Sequence, residues 1–329
     1  MGRLRTAAAT AVTALGLVVG LTSSAAASGA SASGVSDEDE ARLAGTILAL
    51  EVDRGDTRVG RLITVRPNGT GRRVLTSGVT SGAYSPDGRR VAFGTLDGDI
   101  YVMPASGGPA RRIVGGPYIS SDPTWSPDGR YVAYQSDGDI FRVTVAAPAG
   151  SVVRLTDDAL DRAIACTFPA RGIRFVDPAW HPRGNRIAVA PVCAYADDDL
   201  EPTGGYLAAR GGTLNRTFAG IGFGNADWSP DGGRLAFRDN SGDAHLDLSP
   251  IYVMRTDGSG LRALTPLRNQ DDGRGNADHP VWSPQGTFVA YARGRSDVSS
   301  GPTDLWITNA KGTNRWRVAA DVIPLDWRR

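Results

Sequence analysis

The chain alternates short apolar runs with tight polar punctuation. Runs such as "RVAFGT" (90–95), "YVAYQS" (131–136), "RLAFRD" (234–239) and "FVAYAR" (288–293) are each followed by a second run. The second runs are "DIYVM" (99–103), "DIFRVTV" (139–145), "PIYVM" (250–254) and "DLWIT" (304–308). A third run closes each unit: "RRIV" (111–114), "VVRLT" (152–156), "LRALT" (261–265) and "RWRVA" (315–319). Val, Ile, Tyr and Phe dominate, and Asp-Gly, Pro-Asp-Gly or Gly-Gly bound the runs, which is strand and hairpin chemistry. Several runs, "YVAY" among them, are apolar on both faces, as strands buried between stacked sheets are. No long helical period follows residue 43.

One phrase sets the period. "YSPDG" stands at Tyr84, "WSPDG" at Trp125 and Trp228, "WHPRG" at Trp180 and "WSPQG" at Trp282. The anchors are 41, 55, 48 and 54 residues apart. Four short antiparallel strands at such a period describe a β-propeller blade. The termini complete the count. Pro324-Leu325-Asp326-Trp327 reads as a first strand with no blade behind it, whereas residues 45–52, 61–65 and 72–76 read as second, third and fourth strands with no first. Joining them makes one blade and removes two open sheet edges. With five internal blades, the expected fold is all-β: a six-bladed β-propeller of four antiparallel strands per blade, closed by the C-terminal strand.

Composition refines this picture at the ends. A basic start, an uncharged apolar stretch and the small residues Ala25-Ala26-Ala27 predict a signal peptide over 1–27. Residues 28–43 read as a flexible acidic tail, and 44–329 as the propeller. An exported, extracytoplasmic chain is expected, with no membrane span after cleavage. The formal net charge of +1 gives no global attraction to nucleic acid. Two cysteines, Cys166 and Cys193, form an even pair that invites a disulfide in an exported protein.

The phrase x-Pro-x-Trp-Ser-Pro-Asp-Gly, then Val-Ala-Phe/Tyr, then Asp-Ile-Tyr-Val resembles the WD40-like (PD40) repeat of TolB-type propellers. The resemblance covers about residues 44–329 and implies a six-bladed, extracytoplasmic propeller. TolB itself carries an additional N-terminal α/β domain and binds a peptidoglycan-associated lipoprotein, whereas here only a short tail precedes the first strand. The units at Trp180 and Trp282 depart from the repeat by losing the turn Asp.

The repeated Ser and Asp are expected to shape turns, because five equivalent copies cannot each be a catalytic site. Tyr84, Trp125, Trp180, Trp228, Trp282 and Trp327 are expected to fill the spaces between blades. Loop length carries more functional information. Residues 157–177, 191–205, 239–249, 266–278 and 294–304 are long, whereas the corresponding loops of the first two blades are bare turns at Asp97-Gly98 and Asp137-Gly138. Alternation puts all the long loops on one face, around blades 2 to 5, and loops on a rigid scaffold are where binding concentrates.

The candidate binding residues there are Asp122, Arg171, Arg174, Asp177, Asp198, Arg274, Asp278 and His279. Asp122, Asp177 and Asp278 stand just before their Trp anchors. No catalytic motif is recognised, and no cofactor is expected, although acidic oxygens at the channel mouth suit Ca²⁺ or Mg²⁺. The expected function is non-catalytic binding of a protein or cell-envelope ligand by a monomer. Two alternatives stand beside it. One is a hydrolase or lyase acting on polysaccharide or peptide through Asp278 and His279. The other is a carbohydrate-binding module using Tyr118, Phe168 or Tyr195.

Overall fold

The computed structural model describes residues 43–53, 56–156, 172–194, 200–202, 204–209, 212, 214–218, 221–238, 250–266, 277–294 and 303–329. Among these every regular element is a strand. Four sheets follow the repeat. The second contains β7 (Ser120–Trp125), β8 (Tyr131–Ser136), β9 (Asp139–Thr144) and β10 (Val153–Arg154). The third contains β11 (Gly172–Trp180), β12 (Arg186–Ala194), β14 (Gly204–Ala208) and β15 (Leu214–Phe218), with β13 (Leu200–Pro202) beside β12. The fourth runs β16 (Gly224–Trp228), β17 (Arg234–Arg238), β18 (Ile251–Arg255) and β19 (Arg262–Ala263). The fifth runs β20 (Ala277–Trp282), β21 (Phe288–Gly294), β22 (Thr303–Asn309) and β23 (Arg315–Ala320).

The first sheet has seven strands. Its order is β24 (Val322–Arg328), β1 (Thr46–Asp53), β2 (Asp56–Val65), β3 (Arg73–Tyr84), β4 (Arg90–Thr95), β5 (Ile100–Pro104) and β6 (Arg111–Val114). Its length comes from β3. The first half of β3 pairs with β2 through Arg73–Val79, and its second half pairs with β4 through Val79–Tyr84. The C-terminal strand lies antiparallel to β1, with Ile47 opposite Trp327. The expected pairing of the chain ends is therefore present.

The core lies in packets between neighbouring sheets. One holds Ile100 and Ala92 against Trp125, Val132 and Val143, and another holds Ala179 and Tyr206 against Trp228 and Phe237. Val281, Phe288 and Leu305 pack against Ile47, Ile63 and Trp327, joining the fifth sheet to the first. The six aromatic anchors are only 2–8% exposed, and truncating such a buried ring costs about 3–5 kcal/mol.

Arginines cover these anchors. Arg90 lies 4.7 Å from the Trp125 ring centre, Arg186 5.5 Å from Trp228, Arg234 4.4 Å from Trp282 and Arg328 4.5 Å from Tyr84. Most of these arginines open the second strand of one unit and reach the anchor of the next; Arg328 instead follows the C-terminal anchor Trp327.

Two expectations need correction. Residues 172–177 and 191–194, expected as loop, are strand: β11 and β12 include them, with Gly172 opposite Ala194, and β13 (200–202) pairs with β12. The outermost strands expected over 152–156 and 261–265 shrink to two residues each. Thr156 Oγ1 accepts the Ile140 N–H at 3.0 Å and Thr265 Oγ1 the Ile251 N–H at 2.9 Å, so a side chain takes the place of the ladder. Cys166 lies outside the described residues, as does the side chain of Cys193.

Candidate functional site

The turns after the anchors are built by hydrogen bonds. Ser126 Oγ donates to Asp128 Oδ1 at 2.6 Å and accepts the Tyr131 N–H at 2.9 Å. Ser85 with Asp87 and Ser229 with Asp231 repeat the arrangement. Each serine hydroxyl, with a backbone N–H, holds its Asp carboxyl below the ordinary range. A serine that donates to its Asp and caps a strand closes a turn. Where the Asp is lost, Ser283 Oγ still accepts the Phe288 N–H at 3.1 Å. His181 substitutes a ring, with Nδ1 accepting the Arg183 N–H and Nε2 lying 3.1 Å from Gly232 O.

The inner strands β7, β11, β16, β20 and β24, with the second half of β3, line one cavity of about 590 Å³. Each of β7, β11, β16 and β20 is bulged three residues before its anchor. Asp122, Asp177, Asn225 and His279 sit there with φ between 47° and 52°, at or beside a register shift. Asp, Asn and His are the non-glycine residues best suited to that left-handed region, and a bulge re-aims its side chain. This settles an ambiguity of register. His279, not Asp278, is the counterpart of Asp122 and Asp177, and Asp278 stands one residue earlier.

Pro123, Pro178 and Pro280 follow on the inner strands, and Pro324 on β24 stands three residues before Trp327. Pro86, Pro127, Pro182, Pro230 and Pro284 stand in the turns at the other end, and all nine line the cavity.

The bulged residues are tied to neighbouring sheets by hydrogen bonds. Asp177 Oδ2 accepts the Asn225 N–H at 3.0 Å, and the Asp122 N–H donates to Ser81 Oγ at 3.0 Å. One position before the anchors, Asp227 Oδ2 accepts the Trp282 N–H at 2.7 Å, and Asp326 Oδ2 accepts the Tyr84 N–H at 2.7 Å. Burial, reinforced by Asp122 and Asp278, pushes the Asp177 carboxyl up to about 7. Burial and the Asp326 charge push Asp227 up to about 8, and burial pushes Asp326 up to about 6. Burial also raises Asp122.

Asp278 differs. Burial pushes it up, but the charges of His279 and Arg238 and the hydrogen bonds from His279 N–H and Asn225 outweigh that, leaving it below the usual range. Arg238 Nη1 is 3.1 Å from Asp278 Oδ2, Asn225 Nδ2 is 2.9 Å from Oδ1, and His279 Nδ1 is 3.5 Å from Oδ1.

Asp122, Asp177, Asp278 and His279 are thus brought together. Arg174 is not among them: it is exposed on β11, with its stem against Gly138. Arg171, Asp198 and Arg274 lie outside the described residues, as do Phe168 and Tyr195. Sequence reasoning missed Asn225, Asp227, Arg238 and Asp326. Asn225, Asp227 and Asp326 recur at fixed distances before Trp, so aligning the units on Trp would have found them. Among the described residues no three His, Cys, Asp or Glu side chains are grouped to hold a metal ion, and no helix is long and apolar enough to cross a membrane.

Repeated antiparallel sheets whose inner strands converge on one cavity define a β-propeller. No family model matches the chain. The structure superposes on TolB from Acinetobacter baumannii with a TM-score of 0.63 at 20% identity, over 86% of this chain and 66% of that one. A 47-residue stretch is 47% identical to the Tol-Pal system protein TolB of Anaeromyxobacter dehalogenans, covering 13% of this chain and 11% of that protein. An uncharacterized protein of Agrobacterium fabrum is 31% identical over 181 residues, half of this chain and 57% of that one. The chain therefore spans just over half the length of that relative. The fold is a TolB-like propeller.

Proposed function

We propose that the protein is an exported, non-catalytic, six-bladed propeller that binds a protein or cell-envelope component through the loop-rich face of blades 2 to 5. The observation that carries this reading is the position of the acidic cluster. Asp122, Asp177, Asn225 and His279 stand at the bulges of the inner strands, towards the end of the sheets where the long segments 157–171, 195–199, 239–249, 267–276 and 295–302 adjoin the described strands. A polar mouth and the longest variable segments of the chain thus share one end of the sheets. Loops on a rigid scaffold, around a concave polar opening, are the usual form of a recognition surface.

Six blades follow if β3 is counted twice, as the last strand of the β24–β1–β2 unit and the first of the β4–β6 unit. Residues 1–27 would be removed on export and 28–43 would remain as a tail, leaving a monomer outside the cytoplasm with Cys166 and Cys193 free to pair. One relative is a Tol-Pal system protein, which makes an envelope protein the first partner to test.

The test is affinity capture from envelope extract with the mature chain, beside a version in which residues 158–170 are replaced by a short Gly-Ser linker. A partner retained by the first and lost by the second supports the reading. Identical capture by both, with both chains folded, sinks it.

A further inference from the structure

The wedge between the second and third sheets breaks the repeat. At Trp125, Trp228 and Trp282 an arginine from the preceding unit covers the anchor, and Arg90 and Arg234 also donate to a turn carbonyl, Gly129 O or Gly286 O. Tyr131 takes the arginine's place on β8. Trp180 Nε1 donates to Gly184 O in its own turn at 3.3 Å. Trp125 and Trp228 instead donate to Ala83 O and Ala179 O of the preceding unit. A pocket of about 220 Å³ remains, walled by Tyr131 and Trp180.

Its charge is also altered. Arg183 stands where Asp87, Asp128 and Asp231 stand in three other units, and lines the pocket with Arg142. The Arg142 guanidinium lies 4.9 Å from the Tyr131 ring centre, and its buried Nε has no hydrogen-bond partner. Arg130 lies 5.8 Å from the same ring. Among the described residues the one carboxylate lining this pocket is Asp128, and it is engaged by Ser126 Oγ and the Arg130 N–H. An unsatisfied N–H on one guanidinium, with a second arginine lining the same pocket, is complementary to an oxyanion.

We propose that this pocket binds a small oxyanion, a carboxylate or phosphate borne on a body no larger than one ring. The size follows from the volume, which is below the ~300–1,000 Å³ of pockets for larger ligands. Arg142 and Arg183 hold the oxyanion, and the Tyr131 and Trp180 walls contact the ring. The pocket stands at the turn end of the sheets, away from the acidic mouth, so it is independent of partner binding there.

Isothermal titration of the mature chain with glucuronate, inorganic phosphate and glucose tests it. One site is expected for glucuronate or phosphate, weakening with added salt, and none for glucose. Arg142→Gln and the exposed Arg183→Gln should each weaken binding at least tenfold, with melting temperatures measured to verify folding. If Arg142→Gln does not fold, Arg183→Gln alone decides. Absence of binding by both anions, or binding unchanged in the folded variants, overturns the proposal. A response to phosphate alone assigns the site to phosphate, and a response to glucuronate alone assigns it to a carboxylate.

Discussion

Tyr84 and Asp326 are 242 positions apart in the chain and 2.7 Å apart in space. The Tyr84 N–H donates to Asp326 Oδ2, whose partner oxygen accepts the Trp327 N–H at 2.6 Å. One carboxylate therefore ties the last strand to the unit that begins with β3. Asp326→Ala leaves two N–H groups without acceptors and should lower the unfolding free energy by about 2–4 kcal/mol. Asp326→Asn keeps an acceptor and should lose much less. Urea unfolding of both variants separates the hydrogen bond from the charge.

Removal of residues 322–329 should be worse than either substitution. It uncovers the edge of β1 and the apolar side chains of Ile47 and Ala49. The truncated chain should aggregate and melt many degrees lower. Equal melting temperature and a monomeric elution profile would contradict a structural role for the strand pairing.

The raised carboxyls of Asp177, Asp227 and Asp326 predict an unusual pH response. Their folded values, about 7, 8 and 6, lie above the ordinary 3.8. The folded state therefore holds more protons than the unfolded state between these limits. The stability they contribute is complete below about pH 4 and is lost as pH rises through about 6 to 8. Asp87, Asp128 and Asp231 act oppositely and lose their contribution as pH falls through their lowered values. Asp227→Asn should flatten the alkaline limb and stabilise the protein at pH 9 by about 1–2 kcal/mol, less than the full shift because water in the cavity screens the charge. Urea midpoints at pH 5, 7 and 9 for both proteins check the slope.

The turn serines are separable from catalysis. Ser126→Ala removes both the acceptor for Tyr131 N–H and the donor to Asp128, and should cost about 1–2 kcal/mol. Ser283→Ala has no Asp to lose and should cost less. If both substitutions abolished partner capture without altering stability, the serines would belong to a site and not to a turn.

Arg234 tests the cover over the anchors. Its guanidinium lies 4.4 Å from the Trp282 ring centre and donates to Gly286 O at 2.9 Å. Arg234→Met preserves the stem and should cost about 1–2 kcal/mol. Arg234→Lys should recover part of this. Thermal unfolding followed by Trp fluorescence reports both the loss and the exposure of the ring.

The strands were legible because their chemistry is local and repeated. "RVAFGT" is β4 without change, and "YVAYQS" is β8. The outer strands were misjudged because Thr156 and Thr265 replace ladder bonds with side-chain bonds, which a pattern of apolar residues does not register. The extension of β11 and β12 was missed because Asp and Pro in 191–205 read as loop chemistry. At the site, Asp122 and Asp177 were legible as acids before Trp. Their left-handed backbone was not, because a bulge depends on pairing with the next strand. Asn225 and His279 share the position but not the side chain, so a search for acids passed over the equivalence.

The four prolines on the inner strands, Pro123, Pro178, Pro280 and Pro324, have a consequence for folding as well as shape. The inner strand of each sheet is an edge, and an exposed edge recruits any extended segment it meets. A proline next to a bulge gives that edge neither a donor nor a straight run. Such an edge is sterile toward strands. In a chain with several similar repeats in tandem, this disfavours zipping one inner strand onto another. Whatever enters the cavity must be held by side chains and carbonyls, not by a borrowed β-ladder.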